Sequence, residues 1–184
     1  MAGTFTPSDM ELSPALLFWQ PNGSTATYYL GGTLKNVKLN FEYDKSPIKA
    51  DQYGTSVLDN RISGVKVMLT TEVAQVKDFQ LVNCLFPDST LVGNPPYDGT
   101  STTASVKWTN TVGNADLNIA GTLTLHPQAV GATSVTNYNW TFTKACPTEK
   151  SEITYGPTEQ AAWKIEWTIL PDTTQNPPVW FTYG

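Results

Sequence analysis

Charge is scarce in this sequence, with Asp, Glu, Lys and Arg making up 15% of the 184 residues, well below the usual quarter. The eleven Lys and Arg never gather into a basic run and the formal net charge is −5, which argues against a nucleic-acid grip, since phosphate binding needs clustered cations. Histidine is nearly missing. His126 stands alone before Pro127, and Cys84 and Cys146 are the only cysteines, too few for a zinc set and not spaced as a Cys–His or Ser–His dyad. The two thiols are expected to be buried separately, with a single bridge as the alternative. Long apolar runs are absent, and the N-terminus lacks the basic and apolar regions of a secretory leader, so a soluble chain made in a cytoplasm is expected. On that expectation the acceptor patterns Asn22-Gly-Ser and Asn139-Trp-Thr are chance matches. Glycine forms no phosphate loop, because Gly31-Gly32 precedes a strand pattern rather than a helix. Sixteen carboxylates are scattered with no pair singled out for glycosidase chemistry. Neither an enzyme, a cofactor nor a metal is expected.

What the sequence does hold is Thr, Asn, Gly and 11% aromatic residues, the vocabulary of a β protein. The length suits one domain over residues 1–184. Residues 1–32 carry one apolar patch broken by Pro14 and Pro21, and read as an N-terminal arm or edge element; residues 173–184 read as a Pro-rich C-terminal tail. Residues 34–43 alternate cleanly, with Val37, Leu39, Phe41 and Tyr43 on one face. Residues 44–63 lose that pattern while keeping Ile48, Tyr53, Val57, Leu58 and Ile62, so they are expected to form a long apolar loop that packs on another surface.

Residues 65–73 alternate again, and from Val76 the spacing lengthens to three and four up to Phe86 and Pro87, predicting one short helix packed across the sheet. Further strands are predicted at Val106–Trp108, over Leu117, Ile119, Leu123 and Leu125, over Tyr138, Trp140 and Phe142, at residues 153–155, and at residues 163–170. The count points to a mainly β fold, a sandwich or barrel with one packed helix. Trp140, Trp163 and Trp167 fall in the core pattern, whereas Trp19, Trp180 and Phe181 sit in Pro-rich ends where aromatics mark protein contacts.

The order of elements resembles the major tail tube proteins of long-tailed bacteriophages. The resemblance rests on the strand at 34–43, the loop with Asp51-Gln-Tyr-Gly, the strand at 65–73, the helix ending Leu-Phe-Pro, and the closing Trp-Lys-Ile-Glu-Trp-Thr-Ile-Leu-Pro-Asp; it covers roughly residues 33–92 and 138–173. It implies a β-sandwich whose copies form hexameric rings stacked into a hollow tail tube for genome ejection. The expected partners are then further copies of the chain and the tape-measure, tail-terminator and baseplate proteins, with DNA passing unbound, no membrane insertion, and a place in the virion tail. Under this reading Ile48, Asp51, Tyr53, Val57, Leu58 and Asp59 are the expected subunit contacts, and Trp19, Trp180 and Phe181 the ring-stacking anchors. Asn40, Glu42, Asp44, Thr70 and Glu72, the polar faces of two strands, are the expected lumen wall, with Lys38 and Lys66 on the same faces needing carboxylate partners or a place near a rim, and a solvated outer face is the alternative for these strands. A capsid decoration or head protein, and a carbohydrate-binding sandwich, are the alternatives.

Overall fold

The computed structural model describes residues 14–34, 37–49, 57–74, 89–92, 105–108, 115–154 and 162–184. The protein is mainly β, as its composition predicts. Ten strands are present among the described residues: β1 (Ala15–Gln20), β2 (Tyr28–Gly32), β3 (Lys38–Lys49), β4 (Val57–Val73), β5 (Ser89–Val92), β6 (Ser105–Trp108), β7 (Gly121–Pro127), β8 (Trp140–Thr154), β9 (Ala162–Ile169) and β10 (Thr182–Tyr183). One antiparallel sheet runs β2-β1-β7-β8-β9-β4-β3 with β10 added beside β8, and β5 and β6 form a separate hairpin.

The sheet curls on itself. Thr33, just past β2, bridges to Val73 of β4, and Leu34 donates its N–H to the Glu72 carbonyl at 2.8 Å, so the path from β2 to β3 touches both β1 and β4. Thr33 is pinned from the other side as well: its Oγ1 accepts the Ala15 N–H at 2.8 Å and its own N–H donates to the Ala15 carbonyl. The alternate residues that face inward from β1, β4, β7, β8 and β9 make one core, including Leu17, Trp19, Leu69, Leu123, Phe142, Ile165 and Trp167. Each such side chain contributes about 1.5–3 kcal/mol on burial. Trp19 and Trp167 meet with ring centroids 5.4 Å apart, and the indole N–H of Trp167 donates to Thr71 Oγ1 at 3.0 Å, so the one polar atom of this large ring is satisfied. Gly121 is required here, because a Cβ on it would collide with the Gln20 carbonyl oxygen and lie 2.6 Å from the Trp19 ring.

Four expectations are corrected by this architecture. Residues 15–20 are a strand inside the sheet rather than an arm: Pro14 and Pro21 flank β1 without entering it, and its side chains alternate between buried and half-buried, as a strand with one face on the core requires. Within the expected loop over residues 44–63, residues 44–49 and 57–63 are strand, since β3 and β4 pair through them, Asp44 opposite Gly64, Ser46 opposite Arg61 and Ile48 opposite Asp59, while residues 50–56 lie outside the described residues. Residues 45–48 and 59–63 carry no period of two, and neither of their faces is buried. Leu117 and Ile119 lie not in a strand but in a single helical turn, α1 (Asp116–Ile119), closed by the Ala120 N–H on the Asp116 carbonyl at 2.8 Å. The strand starts only at Gly121, where the approach of Trp19 sets the register. Residues 140–142 and 153–154, predicted in separate strands, belong to one long strand, β8, which starts at Trp140 and leaves Tyr138 exposed in the preceding turn; Tyr155 lies outside the described residues. Residues 76–86, predicted as the packed helix, lie outside the described residues, as does Cys84. Cys146 is buried beside Pro147.

Candidate interaction surfaces

The β3–β4 hairpin is longer than the sheet that supports it. β9 pairs with β4 only over residues 67–73, so residues 42–49 of β3 and 57–66 of β4 run on past the end of β9 with each other as their only partners among the described strands. Residues 41–48 and 59–63 are all exposed, and among them Tyr43, Ile48 and Ile62 present 52%, 46% and 55% of their surface. An isolated two-stranded ribbon is marginal in water, and an exposed edge strand with apolar side chains is a template for another chain. Pro47 and the register shifts at Asp44/Lys45 and Ile48/Lys49 interrupt that edge, the devices by which edge strands restrict which partner can add.

Of the expected contact residues, Ile48 and Asp59 face one another across this hairpin, both exposed, and the Asp59 carboxylate accepts the Asn60 N–H at 2.7 Å. Val57 and Leu58 begin β4, with their side chains outside the described part, and Asp51 and Tyr53 lie outside the described residues.

The polar residues of the expected wall do share one face. Along β3, Lys38, Asn40, Glu42 and Asp44 stand opposite Thr70, Met68, Lys66 and Gly64 of β4, so Lys66, expected to need a carboxylate, has Glu42 directly across from it. The same rows continue into β9 and β8: Glu72 faces Lys164, which faces Glu152, and Thr70 faces Glu166, which faces Lys150. Lys164 and Glu166 also approach along the strand, Nζ to Oε1 at 3.4 Å. The result is a surface of alternating sign across four strands.

The expected stacking anchors separate. Trp19 is 3% exposed and belongs to the core, not to a contact surface; its place two residues before Pro21 hid a buried inward position. Trp180 and Phe181 are half-buried against the core, where Phe181 lies 5.2 Å from Trp140 and 6.0 Å from both Phe41 and Phe142 between ring centroids. Tyr183 is exposed and its ring lies tilted against Trp140 with centroids 4.8 Å apart, with Thr182 and Tyr183 paired to Thr141 and Trp140. The tail therefore fills the mouth between β8 and β3 with aromatic rings.

Sequence reasoning missed what holds the tail there. Asp172 and Val179 exchange backbone hydrogen bonds at 2.8 and 3.3 Å, while the Asp172 carboxylate accepts from Thr174 Oγ1 (2.7 Å), the Thr174 N–H (3.1 Å) and Gln175 Nε2 (3.1 Å). The Thr174 hydroxyl first, then the Thr174 N–H and Gln175, with Lys144 adding attraction, hold this carboxyl below the usual carboxylate range. The Asp-Thr-Thr triplet is a legible turn motif that marks such a lock.

His126 is buried, with Nδ1 2.8 Å from Asn139 Oδ1, which ties β7 to the turn that leads into β8. Among the described residues no three His, Cys, Asp or Glu side chains come together as metal ligands.

No protein-family model matches the sequence, and the comparison with curated proteins finds no match. Among solved structures, the fold is similar to a chain of the anti-feeding prophage baseplate, determined by cryo-EM with sixfold symmetrisation, at 12% identity and a TM-score of 0.44, covering 91% of this chain and 92% of that one. A likeness this distant carries no argument about function.

Proposed function

We propose that this chain is a structural subunit of a phage-tail-type assembly, a tube protein whose copies associate into hexameric rings that stack around a channel for genome ejection. The observation that carries the reading is the β3–β4 hairpin, which projects past the supporting sheet with Tyr43, Ile48 and Ile62 in solvent. Such an arm gains burial only on a second molecule. A contact in which the arm seats on a different surface of the next copy is heterologous, and heterologous contacts close into rings when the rotation permits. The resemblance of the sequence to tail tube proteins supports the same reading. The face over β3, β4, β9 and β8 suits a channel wall, because Lys66 opposite Glu42 and Lys164 beside Glu166 leave DNA little net charge to hold, Lys38 opposite Thr70 being the exception. In this account Asn40, Glu42, Asp44, Thr70 and Glu72 line the channel, Trp180 and Phe181 contribute to stacking from the tail, and the protein works without catalysis.

A carbohydrate-binding module would use its Trp residues as an open platform, and the burial of Trp19, Trp163 and Trp167 leaves that reading with less to stand on. Electron microscopy of the purified protein distinguishes the possibilities. Rings or tubes are expected; discrete monomers or trimers would favour a head decoration role, and retention on a glycan array a carbohydrate module.

A further inference from the structure

Asn22 is followed by glycine, the one such pair among the asparagines of this chain, and it lies in an exposed turn between β1 and β2 closed by the Ser24 N–H on the Pro21 carbonyl at 3.1 Å. Gly23 takes φ +73°, the left-handed value that suits the third position of a type II turn, and the space where a Cβ would sit holds no atom within 4 Å. The peptide nitrogen that follows Asn22 is therefore unshielded by a side chain of its own residue, and that residue has wide rotational freedom. The Asn22 side chain also fastens two parts of the fold, because its Nδ2 donates to the carbonyl of Asn118 in α1 at 2.9 Å, across 96 residues of sequence. That bond joins the Pro21–Ser24 turn to the helical turn that precedes β7.

We propose that Asn22 is a site of spontaneous covalent modification, deamidation through attack by the Gly23 backbone nitrogen, and that the modification unfastens α1. The Gly23 nitrogen forms a bond to Asn22 Cγ, the Cγ–Nδ2 bond breaks, and the Gly23 amide proton leaves with the departing ammonia. Water from solvent then opens the cyclic imide at either carbonyl, giving aspartate or its β-linked isomer. No oxidant or reductant takes part. The group lost is the donor that holds the Asn118 carbonyl, and the group gained is an anion that faces the same oxygen, so the contact turns from attraction to repulsion. The modification adds a negative charge beside β1, a strand with none of its own.

Peptide mapping of the folded protein after warm incubation at mildly alkaline pH tests the chemistry. The Asn22 peptide is expected to gain the mass of an OH-for-NH2 exchange ahead of every other asparagine, and Asn22→Gln to show no gain. Retention of the amide in the folded protein over a period in which the urea-unfolded chain converts would overturn the site. Hydrogen exchange tests the consequence: Asn22→Asp is expected to lower the protection of the Asn118 and Ala120 amides, which close the turn on Ala115 and Asp116. Unchanged protection there would overturn the coupling.

Discussion

The two ends of the main sheet are built to different rules. No residue of β1, β2 or β7 is Asp, Glu, Lys or Arg, and the inward side chains of these strands are almost fully withdrawn from water. β3 and the first part of β4 carry Lys38, Glu42, Asp44, Lys45, Asp59, Arg61 and Lys66 and keep nearly every side chain exposed. The first region is stable through its own core. The second has hydrogen bonds and cross-strand pairs but little burial, so its order depends on whatever covers it. One end thus holds the fold and the other is free to serve contact.

The contrast is broken hardest from the core side. Trp19→Ala and Trp167→Ala are each expected to cost about 3–5 kcal/mol in urea unfolding, because both leave a cavity at the centre of the enclosed core. A loss near zero at Trp19 would return that residue to the role of an arm anchor. Gly121→Ala is next, at about 1–3 kcal/mol, since the new Cβ would collide with backbone and ring at once.

Asp172 tests the tail that bridges the two regions. Its carboxyl is held below the ordinary range when folded, so the stability it supplies is present at neutral pH and is lost as the pH falls through that lowered value. Asp172→Asn is expected to raise hydrogen exchange over residues 172–179 at neutral pH and to flatten the acid limb of the melting-temperature profile. An unchanged acid limb would show that the tail is held by its aromatic rings alone. The smallest effect belongs to the polar face: Glu42→Lys sets two cations opposite one another at Lys66 and is expected to cost about 0.2–1 kcal/mol, shrinking as salt is added. A salt-independent loss would mean that Glu42 acts through packing.

How much of this was legible follows burial. The Trp163, Ile165, Trp167 and Ile169 alternation of β9 is printed plainly because one face meets the core. The distal hairpin left no such print, and only its pairing with β4 reveals it. Trp19 was misplaced because flanking prolines look the same whether they break a segment or border it. The polar wall residues could be placed on common faces from alternation alone, yet the partners of Lys66 and Lys164 depend on register across four strands, which no single strand pattern contains. The Asp172 lock could have been read from its turn residues.

The central claim is that the exposed hairpin exists to be covered by another copy. Sedimentation of the wild-type protein beside an Ile48→Ser, Ile62→Ser double variant, each also followed by thermal melting, tests it most directly. The account predicts ring-sized particles for the wild type and a monomer with a nearly unchanged melting temperature for the variant, since neither side chain is buried in the subunit. A wild-type chain that stays monomeric at high concentration, or a variant that assembles as well as the wild type, would contradict it.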